Sequence, residues 1–273
     1  ILDLEQRLSV GGANWPKDPT WEGEVIGGVH DIMAALGHKI TVPAKSKDDR
    51  RGSLGAVHVG ISFGGGQQRP GNLFLTKGNQ ALLREAMTSQ PFVRLTGHVD
   101  TFWQSLWGDL HYLYSETLEA LLEGDPKLRR NFPKSVMACA TFNFGPRTVS
   151  LPHRDSKNLA FGLCIVHAQG DYDADKGGHL VLEDLNYIIR FPPGATVVFP
   201  SALIRHYNTD IQPGEVRQSF TQFTSGHLFR WAYNGGRTDK DAQAGFDGVG
   251  WSVYDLHKAE RRAEGPKFFP KVA

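Results

Sequence analysis

The sequence predicts an α+β fold in which helices come first and a cupin-like jelly roll of short strands follows. Residues 78–90 and 100–123 carry apolar residues at helical spacing. From residue 135 the pattern changes to nine strand-like segments within about 100 residues, joined by turns that contain glycine or proline. Such an array is typical of a double-sheet jelly roll, and the preceding helices are expected to pack on one of its sheets.

The N-terminal half supplies further elements. The run 27–40 is expected to form a short helix that ends at Gly37, and residues 54–63 are expected to form a strand. The charged stretch 44–53 is expected to be a surface loop. The glycine-rich stretch 64–73 forms either a plain turn or a loop that passes close to a ligand. It is not a nucleotide P-loop, because no Gly-Lys-Ser/Thr follows.

The nine strand-like segments define the predicted core. They are residues 135–144, 148–153, 159–168, 178–185, 187–191, 195–200, 203–208, 216–225 and 227–233. We expect one domain over 1–273, with a helix-rich N-terminal support (1–134), the jelly-roll core (135–235) and a polar C-terminal extension (236–273).

Composition excludes several classes of protein. The 30 basic and 29 acidic residues give a net charge of +1, which argues against a strongly basic protein that coats nucleic acid. No stretch approaches the 18 apolar residues of a membrane span, and the N-terminal residues do not resemble a signal peptide. Cys139 and Cys164 lie in apolar runs and are predicted to be buried thiols, which favours a reducing, intracellular location.

The segment His153-Arg154-Asp155 is the strongest chemical signal. In a strand, residues two apart point to the same face, so the imidazole and the carboxylate can converge on one ion. His206, which lies 51 residues after Asp155, is the best candidate for a third ligand. Two histidines and one carboxylate form the facial triad of non-haem Fe(II) oxygenases, which leaves positions open for a bidentate 2-oxo acid and for O2.

A third element, Arg217-Gln218-Ser219, follows His206 on the next predicted strand. Arg217 and Ser219 share a face by the same two-residue rule. A buried guanidinium on an apolar strand needs an anionic partner, and the distal carboxylate of 2-oxoglutarate is a suitable one. Ser219 would add a hydroxyl hydrogen bond.

Other polar residues have two interpretations. His167, His179 and His227 compete as metal ligands, although their positions fit the pattern less well. Asn143, on the strand before the triad, either faces the same cavity and binds cosubstrate or substrate, or has a structural role in the strand.

Four segments together carry a family resemblance: residues 143–166, 177–185, 188–208 and 215–231. This sequence resembles the TET/JBP-type dioxygenases of mushroom-forming fungi, over about residues 60–235. The resemblance implies a double-stranded β-helix that uses Fe(II) and 2-oxoglutarate to oxidise methyl groups on nucleic-acid bases, 5-methylcytosine above all and N6-methyladenine in some relatives. It implies that His153, Asp155 and His206 hold the metal.

The resemblance also concerns the substrate. It implies 2-oxoglutarate binding by Arg217 and Ser219, and contact of Asn158 with the target base, although a turn-forming asparagine is an equally good interpretation of Asn158. Animal relatives have a base-approaching histidine in the strand after the arginine. His227 is the candidate for this substrate contact here, although it lies two residues beyond that position. With two cysteines, the chain also lacks the cysteine-rich zinc module of the animal enzymes.

The predicted partners are O2 and methylated DNA, and the chain is expected to be a monomer, nuclear if DNA is its substrate. A flipped base would need phosphate contacts from basic side chains, unless these are merely solvated surface. The candidates are Lys45, Lys47, Arg50, Arg51, Arg69, Lys258, Arg261, Arg262, Lys267 and Lys271. Two alternatives stay open: a 2-oxoglutarate-dependent hydroxylase of a protein side chain or small molecule, and a cupin-like binding protein or metal hydrolase that does not use 2-oxoglutarate.

Overall fold

The computed structural model describes residues 1–13, 15–43, 52 and 54–272. Lys45, Lys47, Arg50 and Arg51, together with most of the predicted loop over 44–53, lie outside these residues. Within the described part, the chain forms two antiparallel sheets and a set of helices, so the predicted mixed architecture is confirmed.

The larger sheet has seven strands, and each neighbouring pair is antiparallel. They are β1 (Gly11–Ala13), β2 (Ala56–Ser62), β3 (Gly71–Asn72), β4 (Cys139–Asn143), β5 (Cys164–Asp171), β8 (Thr196–Phe199) and β10 (Val216–Phe223). Their order is β1-β8-β5-β10-β4-β2-β3. The first 134 residues therefore contribute three strands to this sheet as well as helices.

The smaller sheet has three strands in the order β7-β6-β9, also antiparallel. They are β6 (Leu180–Leu182), β7 (Tyr187–Ile189) and β9 (His206–Asn208). Apolar side chains join the two sheets, with Ala168 and Phe199 of the larger sheet in one buried cluster with Leu180 and Leu182 of the smaller one. The two sheets are thus packed on each other, and their closure into a jelly roll stays a prediction.

Helices cover the other face of the larger sheet through buried apolar residues. They are a π-helix (Trp21–Gly27) that continues into α1 (Gly28–Lys39), then α2 (Lys77–Thr88), α3 (Gln90–Leu106), α4 (Gly108–Gly124) and α5 (Gly226–Tyr233). The other helical elements are α6 (Asp239–Ala242), α7 (Gly248–Glu264) and the 3-10 turns Glu183–Leu185 and Gly265–Phe268. In the part of the chain that the structure describes, no helix combines the length and apolarity needed to cross a membrane.

The aromatic core under these helices fixes the orientation of β10. Phe220 is buried and contacts Phe92 of α3 edge-on, with ring centroids 5.3 Å apart, and Phe142 of β4 at 5.1 Å. Because side chains alternate along a strand, Ser219 and Thr221 must point to the opposite face of the sheet. That opposite face lines the cavity described below.

Two helix predictions and one strand prediction need correction. α1 runs past Gly37 to Lys39. The single helix expected over 100–123 is two helices, interrupted at Trp107, whose backbone leaves the helical region (φ −132°, ψ 55°) while its buried indole donates to the Leu8 carbonyl at 2.7 Å. The expected strand 227–233 is wrong, because Ser225 caps a helix there by accepting a hydrogen bond from the His227 amide, and Leu228 and Phe229 are buried along it.

The expected strand 148–153 is also wrong. This stretch is a loop with a single antiparallel bridge between His153 and His206. His153 and Asp155 therefore do not lie in a strand, and the alternation of side chains along a strand cannot explain why they converge. Another constraint has to bring their side chains together.

Candidate metal centre and its cavity

His153, Asp155 and His206 offer one nitrogen or oxygen each, all within 4.8 Å of one another. The Nε2 atoms of His153 and His206 lie 3.8 Å and 3.9 Å from the two Asp155 carboxylate oxygens. Two ligands on one ion are separated by at most about twice a metal–ligand bond of ~2.1 Å, and both distances fall below that limit. The three groups can therefore reach a single ion.

The main chain holds the ligands together. His153 and His206 exchange backbone hydrogen bonds in both directions, with N···O distances of 3.0 Å and 2.9 Å. The Asp155 amide donates to the Ser201 carbonyl at 3.0 Å. The loop that carries His153 and Asp155 is thus fastened to the segment that carries His206, which replaces the strand geometry expected from the sequence.

Each imidazole also has a fixed orientation. His153 Nδ1 lies 2.7 Å from the Leu151 carbonyl, and His206 Nδ1 lies 2.9 Å from the Ile204 carbonyl. A carbonyl can only accept, so each Nδ1 carries the proton. Nε2 is then the unprotonated nitrogen, as required of a metal ligand, and backbone carbonyls are common partners of metal-binding histidines.

The donor set selects among metals. Two imidazoles and one carboxylate suit borderline divalent ions such as Fe(II), and three protein ligands leave positions free for other molecules. The side chains of His153, Asp155 and His206 are 13%, 21% and 8% exposed, so the site can be reached from a cavity.

That cavity has a volume of about 330 Å³, which is within the range of small-molecule sites. Both sheets and the metal-ligand loop line it. Asn143 of β4 and Ser219 of β10 lie side by side in the register and are joined by a hydrogen bond of 2.9 Å from Asn143 Nδ2 to Ser219 Oγ. Two of the three predicted cosubstrate residues, Asn143 and Ser219, therefore face the space beside the metal ligands.

Arg217 lies near the start of β10 and is only 1% exposed. It donates to the Thr148 carbonyl, and its guanidinium lies 5.8 Å from the Tyr172 ring and 5.9 Å from the Phe191 ring. Among the described residues, Nε and Nη2 have no hydrogen-bond partner. Burial lowers the pKa of Arg217, and the Tyr172 hydroxyl acts in the opposite direction.

Arg217 does not itself line the cavity, but Thr148 and Ser219 beside it do. A buried cation with two unpartnered donors is costly unless an anion compensates it. The guanidinium thus marks the Ser219–Thr148 end of the cavity as the place where an anionic group would be stabilised.

The two predicted substrate residues differ in position. Asn158 lines the cavity and donates from Nδ2 to the Ser201 hydroxyl at 3.2 Å. His227 is not among the cavity-lining residues. It lies at the start of α5, next to Ser225 and close to Gly64, and burial is the main cause that lowers its pKa.

The competing histidines occupy other environments. His167 is buried on the helix-facing side of β5, where its Nδ1 lies 2.7 Å from the Thr196 hydroxyl, and burial lowers its pKa to about 3. His179 contacts the Thr209 hydroxyl at 3.2 Å. In the described part of the chain, neither joins a cluster of metal-binding groups.

Sequence reasoning missed several cavity residues. His58 of β2 lines the cavity, and its Nδ1 lies 2.7 Å from the hydroxyl of Thr141, which also lines it together with Thr221. The signal was present: Thr141 and Asn143 on β4, and Ser219 and Thr221 on β10, are polar residues alternating with buried aromatic ones. Both predicted buried thiols are confirmed, although Cys164 also lines the cavity.

Comparisons with known proteins address the fold. No protein-family model matches the sequence, and no curated protein sequence matches it. The chain is similar in structure to NgTET1 in complex with 5mC DNA, with a TM-score of 0.52 and 13% identity over 82% of this chain and 75% of that one. A 2OG-Fe(II) oxygenase family oxidoreductase from Burkholderia pseudomallei gives a TM-score of 0.43 and 14% identity over 80% and 85% of the two chains. The first comparison shows that the chain shares the overall fold of the NgTET1 structure.

Proposed function

We propose that this protein is an Fe(II)- and 2-oxoglutarate-dependent dioxygenase. The observation that carries the proposal is the convergence of His153, Asp155 and His206 at the edge of a cavity, with both imidazoles held as Nε2 ligands by backbone carbonyls. When bound, Fe(II) and 2-oxoglutarate supply the oxidation of a C–H bond by O2, with succinate and CO2 as the other products.

The protein's own residues would seat the cosubstrate. An anionic carboxylate at the Ser219–Thr148 end would lie beside the buried Arg217, whose Nε and Nη2 lack partners among the described residues. The Ser219 hydroxyl and the Asn143 amide would add neutral hydrogen bonds. Arg217, Ser219 and Asn143 would thus hold one end of the 2-oxo acid and leave its other end free for the metal ion.

For the substrate, we propose a methyl group on a nucleic-acid base, with 5-methylcytosine first and N6-methyladenine second. The resemblance of the sequence to TET/JBP-type enzymes supports this choice, and the fold shared with NgTET1 agrees with it. A base in duplex DNA would have to be flipped into the cavity, where Asn158 could contact it.

One observation favours the alternative, a hydroxylase of a protein side chain or small molecule. Arginines near the cavity are already paired with acids: Arg154 with Asp184, Arg205 with Glu183, and Arg147 with Asp210. Paired arginines offer less free positive charge for phosphates. Under either proposal we expect an intracellular monomer, in the nucleus if DNA is the substrate.

The test has two parts. Purified protein with Fe(II) should convert 2-oxoglutarate to succinate, and His206→Ala should not. Mass spectrometry of nucleosides after incubation with methylated DNA should then show oxidised 5-methylcytosine. Absence of any 2-oxoglutarate turnover in iron-loaded protein would contradict both oxygenase proposals, whereas turnover without nucleoside oxidation would favour the alternative substrate class.

A further inference from the structure

Arg154 lies between the candidate ligands His153 and Asp155 in the sequence, but its side chain binds other residues. Its Nε donates to the Leu203 carbonyl at 2.8 Å, and its Nη2 lies 2.9 Å and 3.0 Å from the two Asp184 oxygens. The guanidinium therefore spans the gap between the loop that carries His153 and Asp155 and the turn that precedes His206.

The turn on the far side positions the third ligand. Leu203 and Ile204 both donate backbone hydrogen bonds to the Pro200 carbonyl, at 3.0 Å and 3.1 Å. The Ile204 carbonyl, one residue after the carbonyl that Arg154 binds, accepts a hydrogen bond from His206 Nδ1. A shift of this turn would thus rotate the imidazole of His206.

Asp184 is the second anchor. It belongs to the 3-10 turn Glu183–Leu185 and also accepts a hydrogen bond from the Arg205 amide. The Glu183 amide donates to the Arg205 carbonyl at 2.8 Å. Asp184 therefore holds Arg205, the residue before His206, while Arg154 holds Leu203 in the same segment.

We propose that Arg154 is a positioning residue that locks the two ligand-bearing loops in register, so that three ligand atoms are preorganised for one ion. This inference rests on the proposed function, because it assumes that the triad binds metal. Groups that orient metal ligands without touching the ion typically contribute ~10–100-fold to metal affinity. An exposed ion pair by itself contributes little to global stability.

The experiment measures Mn(II) binding to metal-free protein by the electron paramagnetic resonance signal of the free ion. Arg154→Met should weaken binding by ~10–100-fold, and Asp184→Asn should weaken it by less. The double variant should lose less than the two single losses combined, since both residues act through one contact. Arg154→Lys keeps the charge but not the two-pronged geometry, so only partial recovery is expected.

Arg230→Met is the matched control. Arg230 forms a comparable ion pair with Asp239 at 3.1 Å, and its side chain is 46% exposed against 48% for Arg154. It should bind Mn(II) like wild type, and both Arg→Met variants should show similar thermal unfolding without metal.

Four outcomes would overturn the inference. Binding of Mn(II) by Arg154→Met within about twofold of wild type would show that Arg154 does not position the ligands. Unfolding of its metal-free form well below that of Arg230→Met would indicate a merely structural role. A wild type that binds no Mn(II), or binds it equally well after His206→Ala, would instead refute the proposed metal site together with this inference.

Discussion

Replacement of Arg217 by Met should weaken the binding of 2-oxoglutarate but leave the free energy of unfolding almost unchanged. In most proteins, removal of one partner of a buried ion pair costs ~3–5 kcal/mol of stability. Arg217 is different, because Nε and Nη2 of its buried guanidinium have no partner among the described residues. We therefore expect Arg217→Met to unfold within about 1 kcal/mol of wild type in the absence of ligand, since relief of a buried charge that Tyr172 compensates only in part offsets the lost bond to the Thr148 carbonyl.

The same substitution should severely weaken 2-oxoglutarate binding. A carboxylate that accepts two hydrogen bonds from a guanidinium gains ~1.5–3 kcal/mol from each, or ~3–6 kcal/mol in total. At ~1.4 kcal/mol per tenfold, the dissociation constant should rise by ~10²–10⁴-fold. Calorimetric titration of 2-oxoglutarate into Mn(II)-loaded protein measures this change, and urea unfolding of ligand-free protein measures the stability.

Gln218→Met provides the control on the same strand. Gln218 points to the opposite face of β10 and donates to the Phe144 carbonyl at 2.9 Å. Its substitution should cost ~1–3 kcal/mol of stability, because that carbonyl loses its partner, and should leave 2-oxoglutarate affinity unchanged. If Arg217→Met instead loses stability and keeps its affinity, the guanidinium is structural and the proposed cosubstrate seat is wrong.

Three further predictions concern metal, pH and packing. Mn(II) at 100 times its dissociation constant should raise the free energy of unfolding by ~2.7 kcal/mol, and Asp155→Ala should abolish this rise in a urea titration. Burial lowers the pKa of His167 to about 3, so its imidazole stays neutral in the native state. In the unfolded state the same imidazole binds a proton as the pH falls. Stability should therefore fall by ~2 kcal/mol between pH 7 and pH 5 on this account, and His167→Gln should reduce that fall while the exposed-site variant His38→Gln should not. Phe220→Ala should cost ~3–5 kcal/mol of stability by denaturant unfolding, against no more than ~0.5 kcal/mol for Phe74→Ala, at a side chain that is 91% exposed.

The candidate site could be predicted from the sequence because its chemistry is local. His153 and Asp155 are two residues apart, and Arg217 stands on an apolar strand, so residue type and spacing alone indicated a metal and an anion. The reason for their convergence could not be predicted. It depends on reciprocal backbone bonds between residues 153 and 206, which are a long-range contact without a local pattern.

The errors in the fold prediction have a related cause. Residues 227–233 carry apolar and aromatic residues that suit a strand as well as a helix, and the deciding contact is the capping hydrogen bond that Ser225 accepts from the His227 amide. The break at Trp107 depends on a hydrogen bond to Leu8, which is 99 residues away. Periodicity indicates which face of an element is buried, but capping contacts and distant partners decide where the element begins and ends.

Backbone hydrogen bonds join His153 to His206, so the shape of the metal-ligand pocket does not depend on the two imidazole rings. Substitution of either histidine by alanine would leave both backbone hydrogen bonds in place and open a space the size of an imidazole ring beside the cavity. Free imidazole added from solution could then occupy that vacancy, so the identity of one ligand could be exchanged chemically while the polypeptide around it stays as folded.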